Sequence, residues 1–120
     1  MEKISFHENH REFSRVNLEM KGVYRAIYPQ RNEGCAEIQN LSHGGLMFIS
    51  SDFLKTGDLL DMTVYYQDVD ISFNSKVVWT EALGGILPPE YKFGIEYISL
   101  SSMDKSYLSL IIATNQEQKQ

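Results

Sequence analysis

The sequence predicts an all-β domain with a C-terminal helix: a six-stranded antiparallel barrel followed by one amphipathic helix. Apolar and polar residues alternate with period two in several short segments, and turn residues separate those segments. The apolar spacing becomes helical only near the C-terminus. We find no parallel βαβ pattern, so a nucleotide-binding α/β fold is not expected. At 120 residues and 42% hydrophobic, the chain is long enough for one core.

Three strands are predicted in the first half of the chain. Alternation begins at Val16 and continues towards Tyr28, residues 36–41 form a short second strand, and residues 46–49 form a compact third. A loop at residues 29–34 separates the first two strands.

Three further strands follow the turn at residues 55–58. Residues 61–66 form the fourth strand, and Val69 to Trp79 form the fifth, in which the odd residues face inward. Trp79 is therefore predicted to pack in the core. After a loop at residues 84–90, the last strand presents one face made of Tyr91, Phe93, Ile95 and Tyr97.

The C-terminal segment changes to helical spacing. The apolar residues at this spacing are Met103, Tyr107, Leu110 and Ile111. Ser101 or Ser102 is expected as the N-cap, with Asp104 in the first turn. We therefore divide the chain into a flexible N-terminal arm (1–15), a barrel with its helix (16–115) and a polar tail (116–120).

The charge and the single cysteine limit the classes of function. The net charge of −5 argues against a nucleic-acid polymer as partner, because such a protein needs a basic face. All four arginines lie in the first 31 residues, so an anion would prefer that part. Cys35 cannot form an internal disulfide, and no apolar stretch is long enough for membrane insertion. These features predict a cytoplasmic protein.

Residues 40–45, NLSHGG, form the first candidate site. The Asn40 side chain can accept a hydrogen bond from the backbone two residues on, and Ser42 can add a similar bond. Gly44 and Gly45 allow positive φ, and Gly45 leaves space for a close approach. A well-made hairpin turn with no further role would use the same residues.

The second candidate site is the arginine pair Arg11 and Arg15 in HREFSR. In an extended chain they lie up to about 13 Å apart and could reach two anionic groups. A guanidinium suits phosphate oxygens and the O6/N7 edge of guanine. A solvated surface with Glu8–Arg11 and Glu12–Arg15 pairs is the alternative.

Taken together, the two motifs resemble the PilZ domain, a bacterial receptor domain for cyclic di-GMP. Its pattern is RxxxR followed by D/N-x-S-x-x-G, which Arg11, Arg15, Asn40, Ser42 and Gly45 match in order. GGLMFIS, the TGD turn, VVW and the GIEY strand also look like PilZ sequence. The resemblance implies a six-stranded barrel of the split-barrel type with a C-terminal helix, as the periodicity also predicts.

The resemblance also implies a role for each matched residue. Arg11 and Arg15 would bind phosphate oxygens and guanine edges, and Asn40 would present its carboxamide to a guanine. Ser42 would hydrogen-bond nearby, and Gly45 would let a base or sugar lie against the backbone.

Gly44 and His10 are possible additional contacts. Many family members have a third arginine where this chain has His10, a position that influences ligand stacking and stoichiometry. A neutral His10 could stack on a base but lacks a fixed charge.

We therefore expect a non-enzymatic receptor with cyclic di-GMP as ligand and no cofactor. Residues 5–15 would fold over the ligand, and the signal would pass to an unidentified effector protein in motility, biofilm or polysaccharide control. The alternative is a PilZ-like adaptor that does not bind the nucleotide and acts only through protein contacts.

Other site classes are less well supported by the sequence. His7, His10, His43 and Cys35 lack the spacing of a metal site. Asp68 and Asp70 look like a solvated edge, and no nucleophile or carboxylate motif suggests an enzyme. A single-strand-binding barrel should show exposed aromatics among basic residues, which is not the pattern here. Tyr91 and Tyr97 are interpreted as structural, and the oligomeric state stays open.

Overall fold

The computed structural model describes residues 15–28, 32–85 and 87–119. In this part of the chain, six strands precede one helix, as predicted. The elements are β1 (Val16–Tyr28), β2 (Asn32–Leu41), β3 (Gly45–Ser50), β4 (Leu59–Tyr66), β5 (Val69–Leu83), β6 (Glu90–Leu100) and α1 (Ser102–Lys119).

The six strands close into an antiparallel barrel in the order β1-β2-β3-β6-β5-β4, with β4 pairing back to β1. The predicted fold class is therefore confirmed. Closure gives every strand a neighbour on each side, although β1 pairs with β4 only from Lys21 onward and β5 pairs with β4 only as far as Lys76.

Several strands extend beyond the predicted bounds, and β2 and β5 are clear examples. β2 begins at Asn32 instead of residue 36, and β5 continues from Trp79 to Leu83. Most of the added residues are exposed, so they carry no inward apolar alternation to mark them as strand. Their backbones are still paired with a neighbouring strand: Asn32 pairs with Ala26, and Leu83 pairs with Glu90.

The barrel interior follows the predicted alternation, with one correction on β5. Ile71, Phe73 and Val77 are buried, but Trp79 is 40% exposed and the prediction that it packs in the core is wrong. The register between β5 and β6 shifts between Val77 and Trp79. Such a β-bulge inserts an extra residue and turns the following side chain to the other face.

Helix α1 packs through a stripe that agrees with the predicted one at Ile111, which is buried, and at Tyr107, which packs against the core, but not at Met103 and Leu110. Its buried residues are Leu108, Ile111 and Ile112, whereas Met103 and Leu110 are more than 60% exposed. The helix carries apolar residues on two stripes, and spacing alone does not say which one packs on the barrel.

Both ends of α1 are defined by particular residues. Ser101 is the N-cap, because its Oγ accepts a hydrogen bond from the Asp104 amide at 3.1 Å. The helix then continues to Lys119, into the stretch predicted as a polar tail. No helix among the described residues is long and apolar enough to cross a membrane.

Candidate functional site

The end of the arginine motif lies beside the end of the NLSHGG motif. Arg15 directly precedes β1, where Val16 pairs with Leu41 and Asn17 with Asn40 across the β1–β2 ladder. This register brings the Arg15 side chain to Asn40, and Arg15 Nη1 donates a hydrogen bond to Asn40 Oδ1 at 2.8 Å. Arg11 and His10, the other predicted contacts on the arm, lie outside the described residues.

Asn40 is almost buried, with 8% of its surface exposed. Its carboxamide oxygen accepts from Arg15, whereas the sequence predicted a bond from the backbone two residues on. Its Nδ2 lies 4.0 Å from the thioether sulfur of Met47, a weak acceptor. The amide group therefore keeps a donor that a stronger acceptor could use.

Ser42 closes the turn between β2 and β3. Its amide donates to the Gly45 carbonyl at 2.9 Å, and its hydroxyl accepts from the Gly44 amide at 3.2 Å. The same hydroxyl donates to the Gly45 carbonyl at 3.3 Å. The hydrogen bonds of Ser42 thus stay within the turn, and they hold the backbone of the turn that follows Asn40.

The two glycines serve different purposes, and neither adopts the positive φ that a glycine allows; among the described glycines only Gly57 and Gly85 do. A Cβ at Gly45 would overlap the carbonyl oxygen of Ile95 on β6. Gly45 is therefore needed for close packing of two backbones. A Cβ at Gly44 would meet nothing within 4 Å, so this residue leaves open space beside the turn.

Tyr97 on β6 is part of this site, although its sequence position suggested only a structural role. Its hydroxyl donates to the Ser42 carbonyl at 3.1 Å and to the Gly45 carbonyl at 3.2 Å, and its amide donates to the Gly44 carbonyl at 3.1 Å. Burial raises the pKa of the phenol, and the nearby charge of Arg15 lowers it in part. The only sequence signal for this role is that Tyr97 ends the GIEY segment, which resembles the family sequence. Alternation along a strand cannot show where the Tyr97 hydroxyl points.

His43 connects the turn to the helix. Its Nε2 lies 3.2 Å from the Ser109 Oγ on α1. Beside it, a surface cleft of about 390 Å³ is lined by His43, Gly44, Tyr97, Leu100 and Lys105, among others. The turn therefore borders both the last strand and the helix.

The outer face of the barrel continues from Asn40 across three strands. Asn40 pairs with Met47, Met47 with Gly94, and Gly94 with Trp79. The half-exposed Trp79 indole covers Gly94, where a Cβ would overlap the ring. The bulge that moves Trp79 out of the core thus places the chain's single tryptophan in line with Asn40, Met47 and Gly94 on the outer face.

The alternative sites are not assembled among the described residues. No three His, Cys, Asp or Glu side chains come together there in a way that could hold a metal ion. Cys35 is exposed, and so are Asp68 and Asp70.

Comparison with protein families gives a match over most of the chain. The model of the PilZ domain matches residues 9–113, which include both motifs. No curated protein is significantly similar to the chain.

Several solved structures share the fold at low sequence identity. The PilZ domain of YcgR from Escherichia coli with c-di-GMP has a TM-score of 0.72 and 14% identity, over 91% of this chain and 93% of that one. Bacillus subtilis MotI/DgrA, an inhibitor of motility, has a TM-score of 0.73 and 16% identity over 92% of this chain. K. pneumonia MrkH in its apo state has a TM-score of 0.71 and 14% identity over 88% of this chain. The chain spans about half the length of the last two, 53% and 49% respectively.

Proposed function

The chain belongs to the PilZ domain family, and we propose that it is a receptor for cyclic di-GMP that signals through a partner protein. The observation that carries this proposal is the hydrogen bond between Arg15 and Asn40. It joins the two halves of the family pattern in space, although they are 25 residues apart in sequence. The E. coli YcgR domain, solved with c-di-GMP, has the same fold and supports the choice of ligand.

In the proposed complex, Arg15 turns from Asn40 towards the ligand or contacts both. A guanidinium can bind a phosphate oxygen and the O6/N7 edge of guanine with a planar pair of donors. Arg11 would supply the second guanidinium from the arm, and His10 could stack on a base. Asn40 would offer its amide N–H, which now has only the weak acceptor Met47 among the described residues, and its carbonyl oxygen to a guanine edge.

The turn residues contribute in two ways. Ser42 and Gly45 keep the turn in shape, because the hydroxyl of Ser42 bonds within the turn and Gly45 packs against Ile95. Gly44 is exposed and has open space beside it, so a base or sugar could lie against the backbone there.

The number of available contacts is consistent with useful affinity. A hydrogen bond to a charged group contributes roughly 1.5–3 kcal/mol net, and micromolar binding requires about 8 kcal/mol. Two arginines could supply much of this, with the turn and base stacking adding the rest. These contributions must also offset the entropy lost when the arm becomes ordered.

The signalling step in this proposal is a change of conformation on ligand binding. Residues 5–15 fold over the ligand, and the altered surface is recognised by an effector protein in motility, biofilm or polysaccharide control. The likeness to an inhibitor of motility supports this range of pathways without choosing among them. A non-enzymatic role in the cytoplasm, where Cys35 remains a free thiol, is part of the same proposal.

Titration calorimetry with cyclic di-GMP tests the proposal, and cyclic di-AMP is the matched control ligand. The two have the same charge, but adenine carries an amino group where guanine carries the O6 acceptor. We expect saturable heat at micromolar cyclic di-GMP and none with cyclic di-AMP. Equal heats would indicate a simple anion site. No heat with either ligand would favour the adaptor that acts only through protein contacts.

A further inference from the structure

We propose that Tyr97 is a positioning residue for the ligand, because its hydroxyl holds the Ser42–Gly45 turn in the shape that presents Asn40 and Gly44. This inference rests on the proposed function, since it assigns a further residue to the same site. Tyr97 need not contact the ligand itself.

The hydroxyl of Tyr97 lies where both ends of the turn meet. Its single hydrogen is shared between the carbonyl oxygens of Ser42 and Gly45, which lie 3.1 and 3.2 Å from the hydroxyl oxygen. The Gly45 carbonyl also accepts from the Ser42 amide and hydroxyl. One phenol therefore ties the first and last residues of the turn to β6, in addition to the bonds that the turn makes within itself.

The Tyr97 ring is fixed by contacts that do not depend on the hydroxyl. It packs edge to face on Phe73, with ring centroids 4.8 Å apart and an interplanar angle of 72°. Its backbone amide donates to Gly44 at 3.1 Å. A phenylalanine at this position would keep the ring packing and the backbone bond, so the hydroxyl is needed for the turn and not for the core.

Tyr97 also lies within range of the charge of Arg15, the arginine that we assign to the ligand. The positive charge of Arg15 is close enough to lower the pKa of the phenol, against the larger effect of burial. The Arg15–Asn40 bond and the bonds of Tyr97 to the turn are separate, but Asn40 lies only two residues before Ser42 in the chain. Loosening the turn would change the position of Asn40 relative to Arg15.

The chain contains a matched control for the loss of this hydroxyl. Tyr24 is also buried, and its hydroxyl makes two hydrogen bonds, with Ser50 Oγ at 2.8 Å and with Asp52 Oδ2 at 2.9 Å. Ser50 is the last residue of β3, whereas Gly45 is the first. Tyr24 therefore lies at the opposite end of the barrel from the turn.

The experiment compares Tyr97→Phe with Tyr24→Phe in the full chain. Cyclic di-GMP affinity is measured by calorimetry, and stability is measured by urea unfolding. We expect Tyr97→Phe to weaken binding about 3- to 10-fold, the range that follows from losing one or two neutral hydrogen bonds. Tyr24→Phe should leave the affinity unchanged within about twofold. Its free energy of unfolding should fall at least as much as that of Tyr97→Phe. Amide hydrogen exchange at Ser42 and Gly44 should become faster only in Tyr97→Phe.

Three results would overturn the inference. If the wild type binds cyclic di-GMP and Tyr97→Phe binds it with the same affinity, Tyr97 does not belong to the site, whereas the proposed receptor function stands. An equal loss of affinity in Tyr24→Phe would show a general effect of stability. Absence of binding by the wild type would overturn the proposed function together with this inference.

Discussion

The carbonyl oxygen of Ile95 on β6 occupies the space that a Cβ at Gly45 would need. Gly45 begins β3 and pairs with Glu96, one residue beyond Ile95, so the two backbones meet at the turn. The last glycine of the NxSxxG pattern is thus explained by backbone packing in the protein itself. A ligand is not required to account for it.

Replacing Gly45 by alanine should therefore destabilise the fold. A clash with backbone cannot be relieved by a rotamer change, and overpacking of this kind costs about 1–3 kcal/mol or more. Urea unfolding would measure the change. Gly44→Ala is the matched control, because its Cβ would meet nothing within 4 Å and its φ is not positive. We expect it to stay within about 1 kcal/mol of the wild type; equal losses in both variants would contradict this account of Gly45.

Asn40 is predicted to contribute to binding both directly and through Arg15. Asn40→Ala should weaken cyclic di-GMP binding about tenfold, because a donor to guanine and the partner of Arg15 are both lost. Asn32→Ala, at the other end of the same strand, is the control. In a double-mutant cycle with Arg15→Ala, the combined loss should be smaller than the product of the single losses. Strictly multiplicative effects would mean that the two residues act independently.

Tyr24, which is buried, and Tyr97, which is partly buried, should make the protein sensitive to alkaline pH. Burial is the main cause that raises the pKa of Tyr24 and of Tyr97 above the ordinary value of 10.0. The unfolded chain therefore releases these protons at a lower pH than the folded chain, and stability falls as the pH rises above 10. Urea unfolding at several pH values between 8 and 11 would measure this slope. The Tyr24→Phe/Tyr97→Phe double variant should have a shallower slope, and an equal slope would contradict the prediction.

The arm and the turn should respond to the ligand together. We predict that cyclic di-GMP slows amide hydrogen exchange both at residues 5–15 and at residues 40–45, because the ligand lies between them. Exchange measured by mass spectrometry with and without ligand would test this. Protection of the turn alone would contradict the proposed folding of the arm over the ligand.

The barrel was predictable because period-two alternation marks the inward residues of most strands. Ile71, Phe73 and Val77 are buried as predicted. Trp79 is the exception, because a bulge is a property of the pairing with β6 and has no period of its own in the sequence. The buried face of α1 is predicted only in part, at Tyr107 and Ile111, because the apolar residues of the helix fall on two stripes and tertiary packing chooses between them.

The sequence predicts some residues of the site but not how they are arranged in space. Spacing alone could not show that Arg15 lies next to Asn40, because their proximity comes from the β1–β2 register. The family pattern picked out both residues without that geometry. The alternation predicts Tyr97 on the last strand but indicates no role in the site, because its contribution is a hydroxyl directed at two turn carbonyls. Such bonds between distant segments leave no periodic signal.

The central claim is that Arg15 is held at the turn for use by the ligand. Calorimetry with cyclic di-GMP on Arg15→Ala and Arg25→Ala tests it most directly. Arg25 is the matched control: it lies further along β1 and pairs with Asp61 at 3.1 Å on the exposed surface. Loss of a charged hydrogen-bond partner should weaken binding at least about tenfold in Arg15→Ala, with Arg25→Ala close to the wild type. Wild-type affinity in Arg15→Ala, or an equal loss in both variants, would contradict the account.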